Sequence, residues 1–347
     1  MKIGNVDIGL QHSPCIIAEM SGNHNRSLDR ALKIVESASA SGAHLLKLQT
    51  YTPDTITLNV SRNEFVINSE SSLWRGRSLY SLYEEAHTPW EWQKEIIEHS
   101  QNLGLTCFSS VFDQSSLEFL ESLDVAAYKL ASQEVVHLPL IREVAATGKP
   151  MIMSTGMASL GEIDEAVNTA IKAGATEFAL LKCTSTYPAD PKDSNILTIP
   201  LMRKIFGCEV GLSDHTVGIG AAISAVAHGA TLIEKHLTLN RSDGGVDSAF
   251  SIEPHEMKDL VEVSEQARLA LGKVFFGPTD SEFDSLSGRR SIYVSENVEC
   301  GDVVTEKNVR VVRPNLGLPP KYYSEIIGKR FTKRAEIGTP LTWDIIG

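Results

Sequence analysis

Three charged side chains stand inside apolar runs. Glu19 closes CIIAE (15–19), Lys47 lies within HLLKLQ (44–49) and Lys129 within AAYKLAS (126–132). A charge buried in such a run is costly unless an opposite charge or an anionic ligand meets it. Read singly, Lys47 is a structural ion-pair partner for Glu19. Read together, two inward lysines with hydroxyls from Ser109, Ser110, Ser132 and Ser213 form a place for a phosphate and a carboxylate. His215 and His236 follow or end two further runs, EVGLSD and TLIEKH, and lie 21 residues apart. That spacing means nothing on a helix. At the ends of adjacent strands the two imidazoles would be roughly 4.8 Å apart and could hold a divalent ion with waters. The plain alternatives are loop histidines that hydrogen-bond, a helix cap from Ser213 or Asp214, and Lys182 or Lys235 pointing out between helices.

The elements that would position these residues are regular. Eight short β-type runs occur between residues 15 and 236: the five already quoted, LTCFSS (105–110), MIMST (151–155) and FALLKC (178–183). Helical stretches begin near Leu28, Pro89, Gln114, Leu138, Leu160, Ile196, Gly218 and Pro254. Alternation of this kind over about 250 residues predicts an α/β fold, a (β/α)8 TIM barrel. The rival, a doubly wound open sheet, usually carries a Gly-rich loop after its first strand, and EMSGNHN does not match one. In a barrel the active site lies at the C-terminal strand ends. Those ends carry Glu19, then Lys47 and Gln49, Ser109 and Ser110, Lys129 and Ser132, Ser154 and Thr155. They continue with Lys182, Thr184 and Tyr187, then Ser213 to His215, and Glu234 to His236. The connection at 50–88, with Trp74, Tyr80, Tyr83 and His87, is too long for a simple turn and reads as a lid or a substrate-binding excursion. The barrel domain is expected at 1–275, a linker at 276–287, and a small β-rich module at 288–347.

Composition removes other classes. The chain of 347 residues has 32 basic and 44 acidic side chains, a formal charge of −12. No basic run offers phosphate neutralisation, so nucleic acid is not an expected partner. No long apolar run predicts a membrane span. The polar N-terminus points to the cytoplasm. Five widely spaced cysteines with no C-x-x-C argue against disulfides or structural zinc. Cys183, beside Lys182, is the one thiol considered as a nucleophile, with buried packing preferred.

Seven segments carry a resemblance: IIAEMSGNHN (16–25), LLKLQTY (45–51), YKLAS (128–132), LKCTSTYP (181–188), GLSDHT (211–216), EKHLTL (234–239) and VRPNLGLPPK (312–321). Together they resemble the sialic acid synthase family, whose C-terminal antifreeze-like (SAF) domain matches 288–347. EMSGNHN and EAHTPWEW (85–92) look like the branch that makes pseudaminic acid. The resemblance implies condensation of phosphoenolpyruvate with an open-chain amino-sugar aldehyde, here 2,4-diacetamido-2,4,6-trideoxy-L-altrose. It implies phosphoenolpyruvate on Lys47, Ser109 or Ser110, Lys129, Ser132, Thr184 and Ser213. It implies sugar contacts from Gln49, Tyr187, Glu234, Asp247 and Arg313. Glu19 is the first choice for base, and His215 and His236 for a divalent metal (Mn²⁺, Mg²⁺ or Co²⁺). A domain-swapped homodimer, with Arg313 reaching a partner's site, is implied too. Two places depart from the family: Thr184-Ser185-Thr186 replaces an expected asparagine, and 283–289 lacks a clear sugar-facing aromatic. Both bear on which sugar is used, so a neuraminate or legionaminate synthase stays open. So do a Schiff-base aldolase using Lys129 or Lys182 and a carbohydrate- or ice-binding protein.

Overall fold

In the computed structural model, residues 1–70 and 72–347 are described. The chain divides into two compact units, Met1–Gly272 and Lys273–Gly347. The first opens with a hairpin of β1 (Lys2–Ile3) and β2 (Val6–Asp7). Eight parallel strands follow: β3 (Cys15–Glu19), β4 (Leu45–Thr50), β5 (Thr106–Val111), β6 (Tyr128–Leu130), β7 (Met151–Ser154), β8 (Phe178–Cys183), β9 (Glu209–Asp214) and β10 (Leu232–His236). They close in sequence order, β10 pairing with β3, into the TIM barrel expected from the alternation. The β6 run is shorter than its apolar stretch, because only three residues pair.

Side-chain alternation along each strand builds two cores. Ile16, Leu46, Leu48, Met151, Met153, Leu180, Val210 and Ile233 face the helical shell. Ile17, Leu45, Phe108, Ile152, Leu181 and Leu232 face inward and fill the lower barrel, together with Ile3 and Ile8 from the N-terminal segment. Each such side chain gains about 1.5–3 kcal/mol on leaving water. The shell follows the same logic. The helix Leu28–Ala40 is capped by Ser27, whose hydroxyl accepts from the Arg30 amide, and it buries Ala31, Ile34, Val35 and Ala38. That spacing is one helical face.

The described residues of the 50–88 excursion include regular elements. Helices Pro53–Ile56 and Leu79–Ala86 are among them. Between them the Ile67 amide donates to the Arg77 carbonyl at 2.9 Å, and Trp74 Nε1 donates to the Val246 carbonyl at 3.0 Å. The second unit pairs β11 (Ser291–Val294) with β12 (Val309–Val312) in antiparallel register. Its own core is built on Ile292, Val304, Val309, Ile326, Phe331 and Leu341. Among the described residues no helix is long and apolar enough to cross a membrane.

Gly211 shows how tightly the barrel closes. A Cβ there would lie 2.2 Å from the Leu232 carbonyl oxygen and 2.8 Å from Leu181 Cδ2. Backbone cannot yield as a flexible side chain can. Gly211→Ala is therefore expected to cost about 1–3 kcal/mol through overpacking, read as a lower urea midpoint with an unchanged slope.

Candidate active site

Strand alternation sorts the polar residues. On β10, Leu232 joins the inner core and Ile233 the outer one, so Glu234 and His236 point inward and Lys235 outward. Lys235 is fully buried in the shell, 2.7 Å from Asp214 and bonded to the Thr216 carbonyl. It is a structural pair away from the cavity. On β4 the inward positions are Lys47 and Gln49; on β5, β7, β8 and β9 they are Ser110, Ser154, Cys183 and Ser213.

The inward charges form one network. Lys47 Nζ lies 3.0 Å from Glu19 Oε1 and 3.1 Å from Glu234 Oε1. Lys129 Nζ donates to both Glu234 oxygens, at 2.8 and 3.0 Å. Ser213 Oγ donates to Glu234 at 2.8 Å, and Gln49 Nε2 to Glu19 at 2.7 Å. All four charged groups are at most 3% exposed. Burial alone would drive each neutral. For Glu234, burial pushes the carboxyl up, but Lys129 and Lys47 win and hold it well below the usual range. Glu19 is likewise raised by burial and lowered, on balance, by His236 and Lys47. Lys47 is held above its usual value because Glu19 and Glu234 outweigh burial. Lys129 goes the other way: burial, with the Lys47 charge, outweighs Glu234.

The imidazoles lie beside this network, ring centres 5.4 Å apart. His215 Nδ1 is 2.9 Å from the Thr184 carbonyl. A carbonyl only accepts, so Nδ1 carries the proton and Nε2 presents its lone pair. His236 has Nδ1 at 3.0 Å from Ser21 Oγ and Nε2 at 3.1 Å from Glu19 Oε2. Among the described residues, no three His, Cys, Asp or Glu side chains gather as a metal site. An ion here would take two imidazoles and fill its shell from water and substrate.

One cavity of about 460 Å³ joins these groups, within the range of small-molecule sites. Of the residues singled out in the sequence, Glu19, Lys47, Gln49, Ser110, Lys129, Ser132, Tyr187, Ser213, His215, Glu234, His236 and Asp247 line it. Three do not. Ser109 alternates to the outer face of β5, 2.6 Å from the Thr50 hydroxyl. Thr184 spends its hydroxyl on the Asp193 carbonyl at 3.0 Å. Arg313 belongs to the second unit, where it lines a recess with Arg289 and Arg290.

The cavity also holds Ser154, which the sequence placed only at a strand end, Cys183, considered there as a nucleophile with buried packing preferred, and Glu134, which the sequence did not mark. Ser154 Oγ lines the cavity, buried and with no hydrogen-bond partner. Cys183 Sγ lies 3.9 Å from His215 Nδ1. Burial raises its thiol, but the contact with His215 outweighs burial and brings it down to about 7. Glu134 follows β6 in a 3-10 turn, Ser132–Val136. The residue is partly buried, yet its Oε2 is covered and unpartnered, and burial pushes the carboxyl up to about 7.

A closed parallel barrel whose strand ends converge buried lysines, free hydroxyls and two imidazoles is built as an enzyme site for a small anionic substrate. Comparison with known proteins narrows that class. Residues 34–275 match the NeuB family and 289–346 the SAF domain. The chain is 42% identical to the pseudaminic acid synthase of Helicobacter pylori over 335 residues, covering 96% of this chain and 98% of that one. It is 42% identical to the pseudaminic acid synthase of Campylobacter jejuni over 344 residues, covering 98% of each. The N-acetylneuraminic acid synthetase of Leptospira borgpetersenii, solved with citrate, superposes with a TM-score of 0.73 at 31% identity, covering 82% of this chain and 94% of that one. The chain belongs to the NeuB family.

Glu134 yields a pH prediction. Its folded carboxyl holds a proton more tightly than its unfolded one. Stability is therefore intact below about pH 4.5 and falls as pH rises through the folded value of about 7. Glu134→Gln removes that loss. The urea midpoints of wild type and variant are expected to agree near pH 4.5 and to separate by pH 8, the variant being the more stable. A constant gap across that range would contradict the assignment.

Proposed function

We propose that the chain condenses phosphoenolpyruvate with 2,4-diacetamido-2,4,6-trideoxy-L-altrose and water, giving pseudaminic acid and phosphate. The observation that carries this reading is one cavity in which two buried ammonium groups adjoin a pair of imidazoles. The identity to pseudaminic acid synthases along nearly the whole chain supports the choice of sugar.

Phosphoenolpyruvate brings a phosphate and a carboxylate. Lys47 and Lys129 face them as cations, and Ser110, Ser132, Ser154 and Ser213 supply hydroxyls. Gln49, Tyr187 and Asp247 are assigned to the sugar, whose aldehyde is turned toward His215 and His236. The two imidazoles suit a divalent ion, Mn²⁺, Mg²⁺ or Co²⁺, that leaves most of its shell to oxygen ligands. Bound there, it supplies Lewis-acid polarisation of the aldehyde. Carbon 3 of phosphoenolpyruvate adds to the aldehyde carbon, whose oxygen becomes a hydroxyl with the proton that the incoming water gives up, and positive charge develops at carbon 2. Glu19, kept ionised beside Lys47, stabilises that charge and passes a proton from the incoming water to that oxygen. Loss of phosphate from carbon 2 then leaves the keto acid. The lysines act protonated, and no Schiff base is required. The same reading takes the enzyme as a homodimer with Arg313 contributing to sugar binding.

The test is phosphate release from phosphoenolpyruvate, with and without Mn²⁺, in the presence of the altrose sugar, its mannose-configured counterpart or N-acetylmannosamine. Metal-dependent release with the altrose sugar, and a product of pseudaminic acid's mass, is expected. Release only with another sugar would overturn the substrate. His236→Ala is expected to lower turnover at least 1,000-fold with an unchanged melting temperature; full activity would remove the metal role. Arg313→Ala is expected to raise KM for the sugar about tenfold and to leave KM for phosphoenolpyruvate within twofold. Equal changes in both would count against its assignment.

A further inference from the structure

The cavity has two unlike halves. Its floor, from the strand ends, is charged or hydroxylated. Its wall, from the 50–88 excursion, presents Ile56, Ile67, Trp74, Leu79 and Leu82. Tyr51 and Tyr83 line the cavity beside this wall, their rings 5.7 Å apart, and three polar groups of the excursion are engaged with one another or with a barrel loop. Arg77 pairs with Glu85 at 2.7 Å, the Tyr80 hydroxyl meets Asp54 at 3.2 Å, and the indole N–H of Trp74 goes to the Val246 carbonyl at 3.0 Å. What these five residues offer the cavity is carbon. Most of that carbon is only partly covered by the protein itself. The wall also stands back from the chemistry. The Tyr187 ring lies between it and the imidazoles, 5.7 Å from Trp74 and 4.5 Å from His215, centre to centre.

We infer that this wall is the specificity element of the site, selecting a sugar whose far end is deoxygenated and acetylated over one whose far end bears hydroxyls. The inference rests on the condensation proposed above. The aldehyde end of the sugar must reach phosphoenolpyruvate on the charged floor, so the end bearing carbon 6 is turned to the excursion. A carbon 6 methyl and acetamido methyls fill an apolar wall. A carbon 6 hydroxyl against the same wall leaves water without gaining a partner. An apolar pocket rejects an added hydroxyl by a factor on the order of 100, which sets the size of the effect.

The experiment measures kcat/KM for the 6-deoxy altrose sugar and for the same diacetamido sugar carrying a carbon 6 hydroxyl, which keeps stereochemistry constant. The wild type is expected to prefer the 6-deoxy sugar by about 30–100-fold. Leu79→Asn, which places an amide in the wall, is expected to cut that preference below about fivefold. Trp74→Ala is expected to lower kcat/KM for both sugars at least tenfold. In both variants KM for phosphoenolpyruvate stays within about twofold, and melting temperatures report folding separately. An unchanged sugar preference in Leu79→Asn with wild-type kinetics in Trp74→Ala would overturn the inference alone. So would a rise in the phosphoenolpyruvate KM that tracks the loss with sugar. A wild type that turns over neither altrose sugar, yet releases phosphate with another, would overturn the underlying reaction and this inference with it.

Discussion

Two lysines and two glutamates share one buried network at the mouth of the barrel, and the rest of the site is arranged around the need to keep them charged. Each charge is tolerated because its opposite lies about 3 Å away. Glu234 carries most of the constraint, since it meets both ammonium groups. Removing one member of such a set leaves a buried charge uncompensated, at about 3–5 kcal/mol. As a device for stability the arrangement is poor; well-packed apolar side chains would serve as well or better. As a device for binding it has a clear use. An anionic substrate does not need to desolvate free lysines in water. On the proposed function it would exchange partners with Glu19 and Glu234 inside a pocket that already holds the cations in place.

The same residue types acquire different work from the pleat alone. Glu234, Lys235 and His236 are consecutive. The alternation of β10 sends the first and third into the cavity and the second into the helical shell. There Lys235 and Asp214 form a closed pair, 2.7 Å apart, that anchors β10 to the loop after β9. Register then sets who meets whom. His236 is level with Glu19, Glu19 with Lys47, and Ser213 with Glu234. Three contacts of the site follow directly from strand pairing, without help from loops.

Much of this was legible in the sequence, for a physical reason. Glu19, Lys47 and Lys129, embedded in β-type runs, marked inward strand positions, whereas Lys235 in the same kind of run faces the shell, and eight such runs alternating with helical stretches mark a closed barrel. The floor of the cavity could therefore be named residue by residue. What sequence left open was parity and loop course. Ser109 and Ser110 are adjacent, and only the register with Lys129 assigns the inward place to Ser110. Thr184 lies just past β8, where alternation no longer applies, and its hydroxyl satisfies a local turn. Glu134 gave no signal, because a glutamate in a short polar turn looks solvated. Its covered Oε2 is a product of the tertiary structure. The excursion was visible as an anomalous length with aromatics, but the face it would turn to the cavity was not.

Calorimetric binding of phosphoenolpyruvate, without sugar, reports whether Lys47 and Lys129 are cations held ready for an anionic substrate. Lys47→Met, with native circular dichroism, is expected to bind phosphoenolpyruvate about 100-fold more weakly than wild type, a loss of about 2.7 kcal/mol. Binding within threefold of wild type would contradict it, and the charged network would then be a structural feature of the barrel alone.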